Sequence, residues 1–170
     1  MVEALRPAKG GFVRSFGTGW FIREFLAGHS PYGSPRIDPA RGSPQADIFH
    51  WYKLSLIRTS ATDKAIRHEE NQARQEGRRI DPDKIDTLID RYISKLPFKT
   101  SFCRYHSFVS YFNILQQLHW VEPSGITEPS TIQDNYSGAP PRTFYRLTET
   151  GISASDKGWA NPRAALYGKT

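Results

Sequence analysis

A single cysteine and a single methionine stand among the 170 residues. Cys103 alone can form no intrachain disulfide and cannot by itself build a thiolate zinc site. Such scarcity fits a reducing compartment, so the cytoplasm is the expected location. No apolar run approaches the roughly 18 residues that mark a membrane-spanning helix. The opening MVEALRPAKGGFVRSFGTGWFIREFLAG carries basic residues but no continuous apolar core of signal-peptide type. Metal chemistry is equally sparse. Among His29, His50, His68, His106 and His119 no pair has the i, i+4 spacing of a helical metal site. The HEEN at 68–71 lacks the second histidine of a zincin motif. No glycine-rich loop ends in Gly-Lys-Ser/Thr, and the glycines of KGGFVRSFGTGW have the wrong spacing and no preceding strand for a nucleotide cradle. No metal, no cofactor and no membrane partner are therefore expected, and an enzyme has little to stand on. Cys103, beside Arg104 and near a helix start, leaves a thiol-sensing role as a minor alternative.

What is present suffices for a core. Apolar residues make up 38% and aromatic ones 13% of the chain, too many for a disordered polymer. The formal net charge is +6, which favours polyanionic partners. That excess is uneven: residues 101–140 hold one basic and three acidic groups, and the positive surplus lies toward both ends.

Along the chain, residues 1–45 read as a partly irregular arm with a short helix from Trp20 to Ala27, ended by Gly28. The stretch 29–44 holds four prolines in sixteen residues and reads as a linker or surface loop. Residues 46–80 form a helical extension in two parts. In 46–57, Ile48, Phe49, Trp51, Tyr52, Leu54, Leu56 and Ile57 make an apolar surface too broad for a mostly solvated helix. That helix is either buried or a dimerisation element. A charged helix follows over 61–76, with Gly77 as its stop. Asp81 is a candidate N-cap with Pro82 at the first helical position, opening a helix whose Ile85, Leu88, Ile89, Tyr92, Ile93 and Leu96 share one face. The next helix covers about 102–119. Centred on Phe112, its buried face takes in Tyr105, Phe108, Val109, Leu115 and His119. Cys103, His106, Ser107, Ser110, Asn113, Ile114 and Gln117 point outward. A short strand at Trp120–Glu122, a turn-rich stretch over 122–141 and a period-two strand in RTFYRLT come next. The tail 157–170 follows, with one short helical possibility from Ala154.

Helix, helix, strand, long turn, strand is the plan of a winged helix-turn-helix domain, here over 81–156. The wording agrees. SFVSYFNILQQLHWVEPSG resembles the recognition helix and first wing strand of bacterial and archaeal regulators of the MarR and PadR kind, and PPRTFYRLTETG resembles their second wing strand. The resemblance covers about 45 residues closely and about 75 loosely. Two features depart from it: His119 stands where those families usually place a glycine, and about twenty residues separate the wing strands. The expected fold is mainly α with a small β-hairpin, a winged helix-turn-helix with an N-terminal helical extension.

The resemblance implies sequence-specific or architectural binding of double-stranded DNA, as a transcriptional regulator and homodimer. Ser107, Ser110, Asn113 and Gln117 would meet bases. Arg104, His106 and Lys99 would reach the phosphate backbone near the helix start, and Arg142 and Arg146 would serve the wing. The rival expectation is a winged-helix subunit that docks a protein partner without touching DNA. The 102–119 helix, with one full positive charge, keeps that rival in play.

Overall fold

The computed structural model describes residues 6–7, 13–14, 17–96, 104–128 and 142–168. In chain order the elements are β1 (Arg6–Pro7), β2 (Val13–Arg14), α1 (Thr18–Leu26), a 3-10 turn at Pro31–Gly33, β3 (Ser43–Pro44) and α2 (Gln45–Glu76). There follow α3 (Pro82–Lys95), α4 (Tyr105–Gln117), β4 (Val121–Glu128), β5 (Arg142–Leu147), α5 (Glu149–Ser153), α6 (Asp156–Ala160) and α7 (Pro162–Tyr167). The protein is mainly helical with a small three-stranded antiparallel sheet of order β3-β5-β4, and β1 pairs with β2 separately.

Contacts divide the chain into two units. One holds residues 1–16 and 53–104, the other 17–52 and 105–170. Residues 45–52 of α2 thus belong to the second unit and 53–76 to the first. The stretch 81–156, read from the sequence as one domain, is shared between the two, because α3 belongs to the first and α4, β4 and β5 to the second.

In the first unit, α2 buries Leu56, Ile57, Ala61, Ala65 and Ala73. The two helices expected at 46–57 and 61–76 are one continuous helix. No glycine or proline interrupts Ser60–Thr62, and Thr59 and Thr62 bond back to the carbonyls of Ser55 and Arg58 instead of breaking the ladder. Gly77 stops it as expected, at φ +64, with the Arg78 amide donating to the Ala73 carbonyl. Asp81 caps α3 by accepting from the Asp83 amide at 3.0 Å, with Pro82 at the first helical position. The carboxylate of Glu69, fully buried, clamps this connection. Arg78 Nη1 and Nη2 donate to its two oxygens at 2.7 and 2.8 Å, and the Asp81 amide donates at 2.7 Å. Those bonds hold the Glu69 pKa at about 2 instead of 4.5, the Arg78 bond contributing most.

The second unit is built on aromatic contacts. Phe21, Ile22, Phe25 and Leu26 of α1, Ile48 and Tyr52 of α2, Phe108, Phe112, Ile114 and Leu115 of α4, and Trp120, Val121, Phe144 and Trp159 are all buried. Phe21 lies 5.3 Å from Tyr52, Phe112 meets Tyr145 edge-on at 5.1 Å, and Trp120 packs on Trp159 at 4.9 Å. The Thr18 hydroxyl donates to the Tyr52 oxygen at 3.0 Å, and the Trp159 indole donates to the Gly151 carbonyl at 2.9 Å.

Several sequence expectations are corrected here. The 29–44 stretch is no mere linker, since Ser43 and Pro44 pair with Tyr145 and Phe144 as the third strand. Gly42 makes that approach possible: it sits at φ +76, and a Cβ there would lie 1.9 Å from the Tyr145 carbonyl oxygen. The first hairpin strand runs through Pro123 and Gly125 to Glu128, with an irregularity between Pro123 and Thr127. After β5, three short helices replace the single one foreseen. Thr148, Ser155 and Asn161 cap them by accepting from the amides of Gly151, Gly158 and Ala164.

Candidate nucleic-acid interface

The face that α4 turns to solvent follows from which of its residues the core claims. Phe108, Phe112 and Leu115 are buried as expected. Ile114, expected outward, is buried as well, at 7% exposure. Tyr105 and His119, expected inward, are exposed. The reason is the breadth of the core: Phe49 of α2 takes Tyr105 edge-on at 5.1 Å and Phe108 at 5.3 Å, so the Tyr105 ring rests on a partner at the rim of the unit. Partial burial, reinforced by Tyr145, raises the Tyr105 phenol pKa above its usual value.

Exposed on α4 are His106, Ser107, Ser110, Asn113 and Gln117. His106, Ser110, Asn113 and Gln117 recur at the three- and four-residue spacing that places them along one face. Arg104, the residue before the helix, is exposed too. Ser110 spends its hydroxyl proton on the His106 carbonyl at 3.2 Å, while Asn113 and Gln117 have no side-chain hydrogen bond among the described residues. The α4 sequence YHSFVSYFNILQQ contains no lysine, arginine, aspartate or glutamate. It can offer hydrogen bonds to a partner but almost no net charge.

His119 ends this helix in the left-handed region, at φ +59. The Trp120 amide donates to the Leu115 carbonyl at 3.0 Å and the His119 amide to Gln116, the six-to-one closure that usually employs a glycine. The geometry thus explains why glycine suits this place and shows histidine adopting the same turn. Thr148 holds the turn from the far side: its hydroxyl donates to the His119 carbonyl, and its amide donates to the Trp120 carbonyl at 3.0 Å.

The two hairpin arginines are not open cations. Arg142 Nη1 bonds Asp47 at 2.8 Å and Nη2 bonds Glu128, its cross-strand neighbour. The Glu128 bond is the larger cause of a raised Arg142 pKa, with Asp47 adding to it. Arg146 Nε donates to Glu122, also its cross-strand neighbour, at 3.1 Å. Sequence periodicity placed both arginines on the hairpin but could not reveal the register that sets Glu122 opposite Arg146, nor that β4 would continue far enough to set Glu128 opposite Arg142.

One basic residue was missed. The Arg41 guanidinium lies 5.0 Å over the Phe144 ring, a cation–π contact that leaves its donors to solvent. Arg41 has no carboxylate partner among the described residues. Only the pairing of β3 with β5 brings it to the sheet, and nothing local in the sequence signals that pairing. Lys99, Cys103 and the hairpin tip between 129 and 141 lie outside the described residues.

Among the described residues no cluster of three or more histidine, cysteine, aspartate or glutamate side chains could hold a metal ion, and no helix is long and apolar enough to cross a membrane. Comparison with protein-family models, characterised proteins and solved structures finds no match to the chain.

Proposed function

We propose that the protein is a winged helix-turn-helix DNA-binding regulator of the general MarR and PadR kind, reading double-stranded DNA with α4 and steadying itself with the β4–β5 hairpin. One observation carries this reading: the second unit exposes a continuous stripe of hydrogen-bonding side chains, His106, Ser110, Asn113 and Gln117, on the helix that leads directly into the hairpin. The three-stranded sheet of order β3-β5-β4 suits a wing braced by a strand from ahead of the helices. Within this unit the helical segments ahead of α4 are α1 and the start of α2, and α3 is grouped with the other unit. A stripe of this kind suits the major groove, where side-chain amides and hydroxyls meet base edges.

Homodimer formation through 46–57 stays part of the proposal only in reduced form. Ile48, Tyr52, Leu56 and Ile57 are buried within the chain and Phe49 packs on Tyr105 and Phe108, which leaves little of that apolar surface for a partner.

The pairing of Arg142 and Arg146 with carboxylates supports a second reading, a protein-docking winged helix without DNA contact. Fluorescence anisotropy with a random-sequence duplex at about 50 and 200 mM salt separates the two. Two neutralised phosphates would lower affinity about twelvefold over that interval. Micromolar binding that weakens by this order supports DNA binding, and no binding at the lower salt moves the function to a protein partner.

A further inference from the structure

We infer that the DNA element read by α4 is rich in adenine–thymine pairs, an inference that rests on the DNA-binding reading. In the major groove guanine is read chiefly by arginine or lysine donating to O6 and N7, and cytosine by a carboxylate accepting from N4. Adenine is read by asparagine or glutamine, whose amide donates to N7 and accepts from N6, while serine is indifferent. The exposed face of α4 holds the adenine readers Asn113 and Gln117, the indifferent Ser107 and Ser110, and His106; no lysine, arginine, aspartate or glutamate occurs between Tyr105 and Gln117, and Arg104 stands just before the helix.

Asn113 and Gln117 are both exposed, and neither amide is committed to another described side chain or carbonyl. Four residues apart, they are displaced about 6 Å along the helix axis. That is close to two base steps of about 3.4 Å, so both amides can address adenines of one short tract. The hairpin arginines, the guanine-reading type, are held by carboxylates: Arg142 by Glu128 and Asp47, Arg146 by Glu122.

The test is an anisotropy titration of the full chain against three duplexes of equal length at low salt. One is built of mixed A·T pairs, one of mixed G·C pairs, and one is the A·T duplex with 7-deazaadenine, which removes the N7 acceptor and keeps Watson–Crick pairing. One bidentate amide–adenine pair predicts A·T binding tighter than G·C by about fivefold to a hundredfold. The 7-deaza duplex should lose most of that advantage, and N113A/Q117A should abolish the preference. Equal affinity for A·T and G·C duplexes overturns the inference and leaves DNA binding standing. A preference that survives both 7-deaza substitution and N113A/Q117A also overturns it, since the choice would then come from duplex shape. Absence of binding to all three overturns the DNA-binding reading itself, and this inference with it.

Discussion

Ile114→Ala is the substitution on which the rotational setting of α4 turns. Its neighbour Asn113 is exposed, whereas Ile114 is 7% exposed and sits in the same helix as the buried Phe112 and Leu115. Truncating a core isoleucine to alanine costs about 2–5 kcal/mol, part lost transfer energy and part residual cavity. Taking about 3 kcal/mol as central, a chain of this length should melt lower by about 6–12 °C. The assay is urea unfolding followed by indole fluorescence. Trp20, Trp51, Trp120 and Trp159 all fall in the second unit, so the signal reports the unit that contains α4. Asn113→Ala is the control and should shift stability by less than about 0.5 kcal/mol. If Ile114→Ala also stays within about 0.5 kcal/mol of the parent at an unchanged slope, Ile114 points outward and the face assigned to α4 is wrong.

Three further outcomes follow from other parts of the molecule. Because the folded-state pKa of Glu69 lies at about 2, below its ordinary 4.5, its stabilisation is complete above the ordinary value and fades as pH falls toward 2. Glu69→Gln should therefore be less stable than the parent at pH 7, with the gap closing on acidification. Urea unfolding by far-ultraviolet circular dichroism checks this, and a gap independent of pH would refute it. His119→Gly relieves a left-handed residue worth about 1–2 kcal/mol but restores about 0.4–1 kcal/mol of unfolded-chain freedom. Thermal melts should show unchanged or slightly raised stability, and a clear loss would mean that the histidine ring contributes something the turn does not need. E122Q/E128Q loosens the carboxylate hold on Arg146 and Arg142, and each arginine released to a phosphate should steepen the salt dependence of DNA binding by about 0.9 in log–log slope. An unchanged slope would leave the hairpin arginines out of the contact.

Local chemistry was legible in the sequence wherever the signal was local. Asp81 with Pro82, the stop at Gly77 and the apolar spacing of Phe108, Phe112 and Leu115 depend on neighbours a few residues away, and each stands where expected. The failures have a common cause. That Ser43 and Pro44 become a strand depends on β5, a hundred residues later, and on a missing side chain at Gly42. Ile114 is buried because the second unit covers more of α4 than a single stripe, which helical periodicity alone cannot tell. Exposure of His106, Ser107, Ser110, Asn113 and Gln117 agrees with the sequence reading, but the ion pairs that occupy Arg142 and Arg146 required knowing the register of β4 against β5. The grouping of α3 was not legible for a similar reason. Its order in the chain suggested a partner for α4, whereas contacts place it in the other unit.

The most direct test of the central claim is a backbone-amide chemical-shift titration of the isotope-labelled chain with an A·T-containing duplex. The account predicts that the largest changes fall on His106–Gln117 and on β4 and β5, with α3 little affected. Shifts confined to α3 and the 53–76 segment of α2, or spread with no maximum on α4, would contradict it.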